Sequence, residues 1–160
     1  VVLDTPSGVD RINVTSAKEM FEAVKETFAN IDVVIMAAAV ADYKVKSPAL
    51  EKIKKNSSKM ELLLEKNEDI LLYLGNNKKH QLLIGFALET ENEIKNAEKK
   101  LISKKLDAIV LNSLKNKGAG FATDTNQISI LQKDNKMISF ELKHKNDVAT
   151  DVLDVIEKLL

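Results

Sequence analysis

No cysteine occurs among the 160 residues, so disulfides and thiol nucleophiles are excluded. Tryptophan is absent too, and aromatic residues make up only 4% of the chain, so Leu, Ile, Val and Ala must build the core. His80 and His144 are the whole histidine supply, too few nitrogen ligands for a zinc site where no thiolate can be added. Neither charge is in excess, with 24 Lys and Arg against 24 Asp and Glu. Nothing therefore draws the chain as a whole to nucleic acid or to an anionic membrane. No apolar run approaches the roughly 20 residues that cross a bilayer. Residues 1–20 lack the basic start and apolar centre of a signal peptide. A cytoplasmic protein with a single core is expected at this length.

What the chain does contain is an alternation of buried strands and amphipathic helices. Residues 32–39 (DVVIMAAA), 81–87 (QLLIGFA) and 107–111 (DAIVL) are apolar on both faces, as parallel strands covered by helices on both sides are. Ser16 followed by Glu19 forms a capping box that opens a helix with Met20, Phe21, Val24 and Phe28 on one face, ending near Asn30. Asn67 is expected to cap a short helix carrying Ile70, Leu71 and Leu74, with Glu68 and Asp69 at its positive end. Thr90 followed by Glu93 predicts a second capping box, with Ile94, Ala97 and Leu101 facing inward. Residues 9–14 and 60–65 read as possible strands, and 51–59 as a polar, basic loop. Residues 127–132 and 137–142 alternate and are joined by Lys133-Asp134-Asn135-Lys136, which predicts a hairpin. Val148, Val152, Val155, Ile156 and Leu159 predict a closing amphipathic helix. The expected fold class is α/β: a three-layer, Rossmann-like, mostly parallel sheet with an antiparallel hairpin at its edge.

In such sheets ligands sit beyond the carboxyl ends of the strands. Three of these ends carry small or polar residues: 37–42, 85–90, and Asn112-Ser113 followed by the loop 118–126. The physics locates a cleft there and goes no further toward a substrate.

The segments AAAVADY (37–43), EKIKK (51–55), GFALET (85–90), KKLISKKLD (99–107) and GAGFATDTN (118–126), taken in order, resemble bacterial phosphopantothenate–cysteine ligases over nearly the whole chain. The resemblance implies CTP-dependent joining of 4′-phosphopantothenate to L-cysteine through an acyl-cytidylate, a step of coenzyme A biosynthesis. It implies magnesium accompanying the CTP and leaves the metal ligands unknown. By the same likeness Lys100 is the catalytic candidate, stabilising charge on the phosphates and the acyl-cytidylate. Gly85, Phe86, Ala87, Ala119, Gly120, Phe121, Ala122 and Lys145 are implied to bind nucleotide. Ala38, Val40, Ala41 and Asp42 match a strand end that lines the phosphopantothenate side, and Lys52, Lys54 and Lys55 match a basic flap that reaches the substrate phosphate.

Each of these positions also has a plain reading. Lys100 sits among Lys99, Lys104 and Lys105, where a solvated lysine is ordinary, although helical spacing places it about 60° from Ala97 on the flank of the apolar face. Residues 82–84 are accounted for as core strand, Asp124 and Asn126 as turn residues, and 52–55 as a solvated basic loop. The chain has Leu88 where the family pattern GFAAET has its second alanine, and Ser113 where relatives often have aspartate.

The resemblance further implies a homodimer and a possible fused or separate flavin decarboxylase domain. No flavin is expected in this chain, and neither nucleic acid nor membrane is expected as a partner. The family opens with a Gly-rich strand–turn–helix that has no counterpart here. Residues 1–160 are accordingly read as one ligase domain lacking that first βα unit, with little activity expected of these residues alone. The alternatives are a non-catalytic nucleotide-binding paralogue or fragment, an ATP-using relative, and a structural dimer partner.

Overall fold

A computed structural model describes residues 4–54, 58–89, 91–113 and 123–160. Among them run the strands β1 (Val33–Met36), β2 (Tyr43–Val45), β3 (Leu64–Lys66), β4 (Leu82–Glu89), β5 (Ala108–Ser113), β6 (Thr125–Asn126), β7 (Ile128–Gln132), β8 (Met137–Ser139) and β9 (Lys143–His144). The helices are α1 (Ala17–Thr27), α2 (Ile70–Asn77), α3 (Glu93–Ser103) and α4 (Lys145–Glu157). The backbone packs as two compact units: Val1–Ala29 with Ala39–Ile70, and Asn30–Ala38 with Leu71–Leu160.

In the first unit, Ser16 caps α1 as expected, its Oγ accepting the Glu19 N–H at 3.2 Å. The reciprocal half of the box moves one residue upstream. The Glu19 carboxylate accepts the backbone N–H of Thr15 at 2.7 Å and its hydroxyl at 2.8 Å, and these bonds hold the Glu19 carboxyl below its ordinary pKa. The polypeptide at 9–14 forms no strand: Val9, Ile12 and Val14 are exposed, and a strand without a ladder partner gains nothing to offset its ordering entropy. β3 covers only the end of the stretch 60–65, and pairs with the unanticipated β2, Lys44 opposite Glu65. Asn67 does not cap α2. Its side-chain amide donates to the Ala41 carbonyl at 2.8 Å and its backbone N–H to the Asp42 carbonyl at 2.9 Å, which ties the end of β3 to the entry of β2.

The second unit is built on a five-stranded sheet in the order β1-β4-β5-β7-β8. β1, β4 and β5 are parallel, while β7 and β8 continue antiparallel. Ile84, Val110, Ile128 and Ile130 face Val148, Val152, Val155 and Ile156 of α4 in one buried cluster. Side chains alternate across a strand, so Leu83, Ile109 and Leu131 are buried on the opposite face, where α3 packs with Ala97 and Leu101. This is the expected three-layer arrangement, and β7 with β8 is the expected hairpin, its turn carrying Asn135 at φ 66°.

Three local expectations need correction. β1 is the outermost described strand of its sheet and leaves Ile35 40% exposed, so it is not buried on both faces. Ile94 is exposed rather than inward. α3 begins at Glu93 with Asn92 as its cap at φ 48° and no side-chain cap bond, and the expected cap, Thr90, lies outside the described residues.

At the amino end of β5 the chain buries a carboxylate. Asp107, 4% exposed, accepts Lys78 Nζ at 2.7 Å, Lys133 Nζ at 2.9 Å and the backbone N–H of Leu83 at 2.9 Å. Burial pushes its pKa up, but the bonds from Lys78, Leu83 and Lys133, with the charge of Lys78, outweigh that and hold the carboxyl below its usual range.

Candidate functional site at the carboxyl end of the sheet

Parallel β1 and β4 are in register from Val33↔Leu82 to Met36↔Gly85. Beyond that point β1 gives way to the small residues Ala37 and Ala38, while β4 runs on to Glu89. Short side chains at the end of the outer strand leave a hollow beside the longer one. A cavity of about 520 Å³ opens there, lined by Ile35, Ala37, Phe86, Val148, Val152 and Leu153, with Asn126 and Lys145 as polar members. The size lies within the range typical of small-molecule sites, and so does the pattern of apolar walls with a few polar groups. Lys145 is the first residue of α4 and its backbone N–H donates to the Asp124 carbonyl at 2.9 Å. β6 pairs with β9, Asn126 opposite Lys143, and so brings Asn126 beside Lys145.

The structure thus joins Phe86 and Lys145, nominated separately in the sequence, in one cavity. It sets their neighbours apart. Alternation along β4 turns Gly85 and Ala87 to the other face, where Ala87 is buried core. A Cβ at position 85 would come within 2.8 Å of Leu106 Cδ1 and 2.9 Å of Leu71 Cδ2. Any side chain there would displace the ends of both leucines, so close packing of the covering chain on β4 favours glycine.

At the end of β4, Glu89 is 14% exposed on its side chain and accepts Lys100 Nζ at 2.6 Å. Its second oxygen accepts Asn96 Nδ2 at 3.1 Å, and the same Asn96 amide also donates to the Glu91 carbonyl at 3.0 Å. Asn96 and Lys100 are four residues apart on α3, hence on one helical face. The Lys100 side chain keeps 44% of its surface in solvent, as expected for a stem laid along the flank of an apolar stripe. Burial raises the Glu89 pKa, but the hydrogen bonds from Lys100 and Asn96 and the charge of Lys100 together bring it below the ordinary value.

On the neighbouring strand, one residue short of the position opposite Glu89, Asn112 pairs with Leu88 on β4 and Ile128 on β7. Its side-chain Oδ1 is buried and has no hydrogen-bond partner among the described residues. Glu89 and Asn96 were not picked out by sequence reading as site residues, and Asn126 entered only as part of the loop 118–126, with a turn role as the alternative. A charged residue closing an otherwise apolar strand, QLLIGFALE, was the available signal for Glu89.

The remaining candidates divide. Ala38 follows β1 in the second unit and is exposed. Val40, Ala41 and Asp42 lie in the first unit just before β2, Val40 half-buried and the other two exposed. Lys52 and Lys54 are exposed in a stretch without regular structure, as the loop reading of that segment expected. Lys55, Ala119, Gly120, Phe121 and Ala122 lie outside the described residues. No group of three His, Asp or Glu side chains able to hold a metal ion occurs among the described residues.

The whole chain, residues 1–160, matches the family described as the C-terminal domain of the DNA/pantothenate metabolism flavoprotein. The chain belongs to that family. The DNA/pantothenate metabolism flavoprotein relatives include the coenzyme A biosynthesis bifunctional protein CoaBC of Bacillus subtilis (strain 168), 43% identical over 99% of this chain and 39% of the relative. A protein of an unknown prokaryotic organism named cysteine/cysteine sulfinic acid decarboxylase is 50% identical over 95% of this chain and 43% of its own length. The chain therefore spans about two fifths of the curated relatives it matches. Among solved structures, the crystal structure of the CoaBC C-terminal domain superimposes with a TM-score of 0.80 at 42% identity, covering 99% of this chain and 71% of that one. A Cab2 mutant in complex with phosphopantothenate-cysteine shares the fold at 17% identity and a TM-score of 0.67, over 91% of this chain and 52% of its own. Family and fold are those expected from the ordered motifs.

Proposed function

We propose that this domain carries the CTP-dependent ligation of 4′-phosphopantothenate to L-cysteine. The observation that carries this reading is the carboxyl rim of the second unit, where a cavity containing Phe86 and Lys145, on the α4 face, and the half-exposed Lys100 side chain, on the α3 face, occur at the same end of one sheet. The likeness to CoaBC C-terminal domains supports it independently.

In the proposed reaction a carboxylate oxygen of phosphopantothenate attacks the α-phosphorus of CTP. The P–O bond to pyrophosphate breaks, and an acyl-cytidylate results. The cysteine amine then attacks the acyl carbon, CMP leaves, and the amine gives up a proton as the amide forms. Two anions must meet in the first step, so the protein's task is to place them and to offset their charge. Phe86 offers an apolar face on which a base or sugar can pack, and Lys145 a cation at the same cavity. Lys100 is assigned to the phosphates and to the developing acyl-cytidylate, and does not act as a nucleophile. Lys52, Lys54 and Lys55 are assigned to the phosphate of phosphopantothenate, and Ala38, Val40, Ala41 and Asp42 to its pantetheine-like arm.

Magnesium belongs to this reading as part of the CTP substrate. A magnesium ion held mainly by phosphate oxygens and water needs few protein ligands. A homodimer in the cytoplasm completes the proposal.

The test is product release by the protein as the cell makes it. Pyrophosphate should appear from CTP only when phosphopantothenate is added, and CMP only when cysteine follows. Nucleotide binding without pyrophosphate release would instead mark a non-catalytic module. Preference for ATP in direct competition would mark the ATP-using relative.

A further inference from the structure

We propose that Glu89 is a positioning residue: it holds the Lys100 ammonium at the end of β4 while the site is empty and releases it to the nucleotide phosphates when they arrive. The inference rests on the assignment of Lys100 above and adds a residue to which that assignment gives no role.

The geometry distinguishes this pair from an ordinary surface contact. A lysine held in one position gives up rotamer entropy, and a pair open to solvent returns little in exchange. Such a contact is therefore not built for stability alone. Here the carboxylate is fixed from both sides. Its backbone is the last described rung of the β4–β5 ladder, Glu89 opposite Ser113. Its second oxygen is held by Asn96, itself anchored on the Glu91 carbonyl. Strand and helix therefore present the ammonium at a defined point on the rim, and preorganisation of this kind lowers the cost of binding.

The pair is also built to exchange. The Lys100 side chain remains 44% exposed, so an incoming anion can approach it without first opening the core. If Lys100 leaves, Glu89 keeps its bond from Asn96 and its share of solvent, so no carboxylate is stranded without a partner. A triphosphate offers several negative charges where Glu89 offers one, and the direction of exchange follows from that excess.

A double-mutant cycle in the protein as the cell makes it tests this. Lys100→Gln, Glu89→Gln and the double variant are compared by kcat/KM for CTP in the pyrophosphate-release assay, with melting temperatures as the control for folding. We expect Glu89→Gln to lower kcat/KM about tenfold in the parent and less than twofold once Lys100 is already Gln. Glu89→Asp keeps the charge but draws it back by one methylene. It should fall between parent and Glu89→Gln, and it serves as the readout if the Gln variant does not fold. An equal loss from Glu89→Gln in both backgrounds, or no loss in either, overturns the positioning role. A Lys100→Gln variant with unchanged rate overturns the assignment of Lys100 itself, a separate outcome.

Discussion

The two ends of the second unit's sheet each carry a carboxylate tied to lysine, and they are built in opposite ways. Asp107, at the amino end of β5, is sealed: two lysines and a backbone N–H converge on a side chain only 4% exposed. Glu89, at the carboxyl end of β4, has one lysine and one amide and stays in touch with solvent. A buried carboxylate that loses its partners leaves an uncompensated charge, so the amino-end cluster is committed. The carboxyl-end cluster can change partners at small cost. Alike in composition, one closes the core and the other suits a place where an anion comes and goes.

The largest effect that sharpens this contrast is expected at Asp107. Asp107→Ala strands the Leu83 N–H and removes the counter-charge of Lys78, and should cost about 3 kcal/mol by chemical denaturation. A loss under about 1 kcal/mol would break the contrast. Because the folded-state pKa of Asp107 is lowered, its contribution is fully present above the ordinary aspartate value of about 4. It is lost as pH falls through that value toward the lower folded-state pKa. Acid titration of wild type and Asp107→Asn should therefore converge at low pH and differ most near neutrality.

Next comes Lys100→Gln, expected to fold normally and to lower the overall ligation rate at least tenfold, about 1.4 kcal/mol of transition-state stabilisation. Lys133 is 64% exposed, and Lys78 still covers Asp107 if it is removed, so Lys133→Gln should cost under about 1 kcal/mol. The smallest expected change is in the first unit. Neutralising Lys52, Lys54 and Lys55 together should raise the KM for phosphopantothenate several-fold with no shift in melting temperature, and steady-state kinetics at fixed CTP would show it.

How far the sequence discloses this molecule depends on the range of the interaction. Burial on both faces is written as unbroken apolar runs, so β4 and β5 were legible, as were the α4 stripe and the β7–β8 hairpin. The edge position of β1 was not, because DVVIMAAA reads the same whether or not a neighbour lies beside it. β2 and β9 are too short for alternation to show, and exist because β3 and β6 offer them a ladder. Phe86 and Lys145 were each nominated, but only the tertiary fold shows that they share a cavity. Lys100 was legible as a lysine on the flank of an apolar stripe. Its partnership with Glu89 spans a strand end, a turn and most of a helix, and no local pattern encodes it.

The claim that the carboxyl rim is the working end is tested most directly by amide chemical-shift mapping of the protein titrated with CTP and magnesium. The account predicts saturable shifts at Phe86, Glu89, Lys100 and Lys145, with Lys78, Asp107 and Lys133 unmoved. Shifts confined to the Asp107 cluster, with the rim silent, would contradict it.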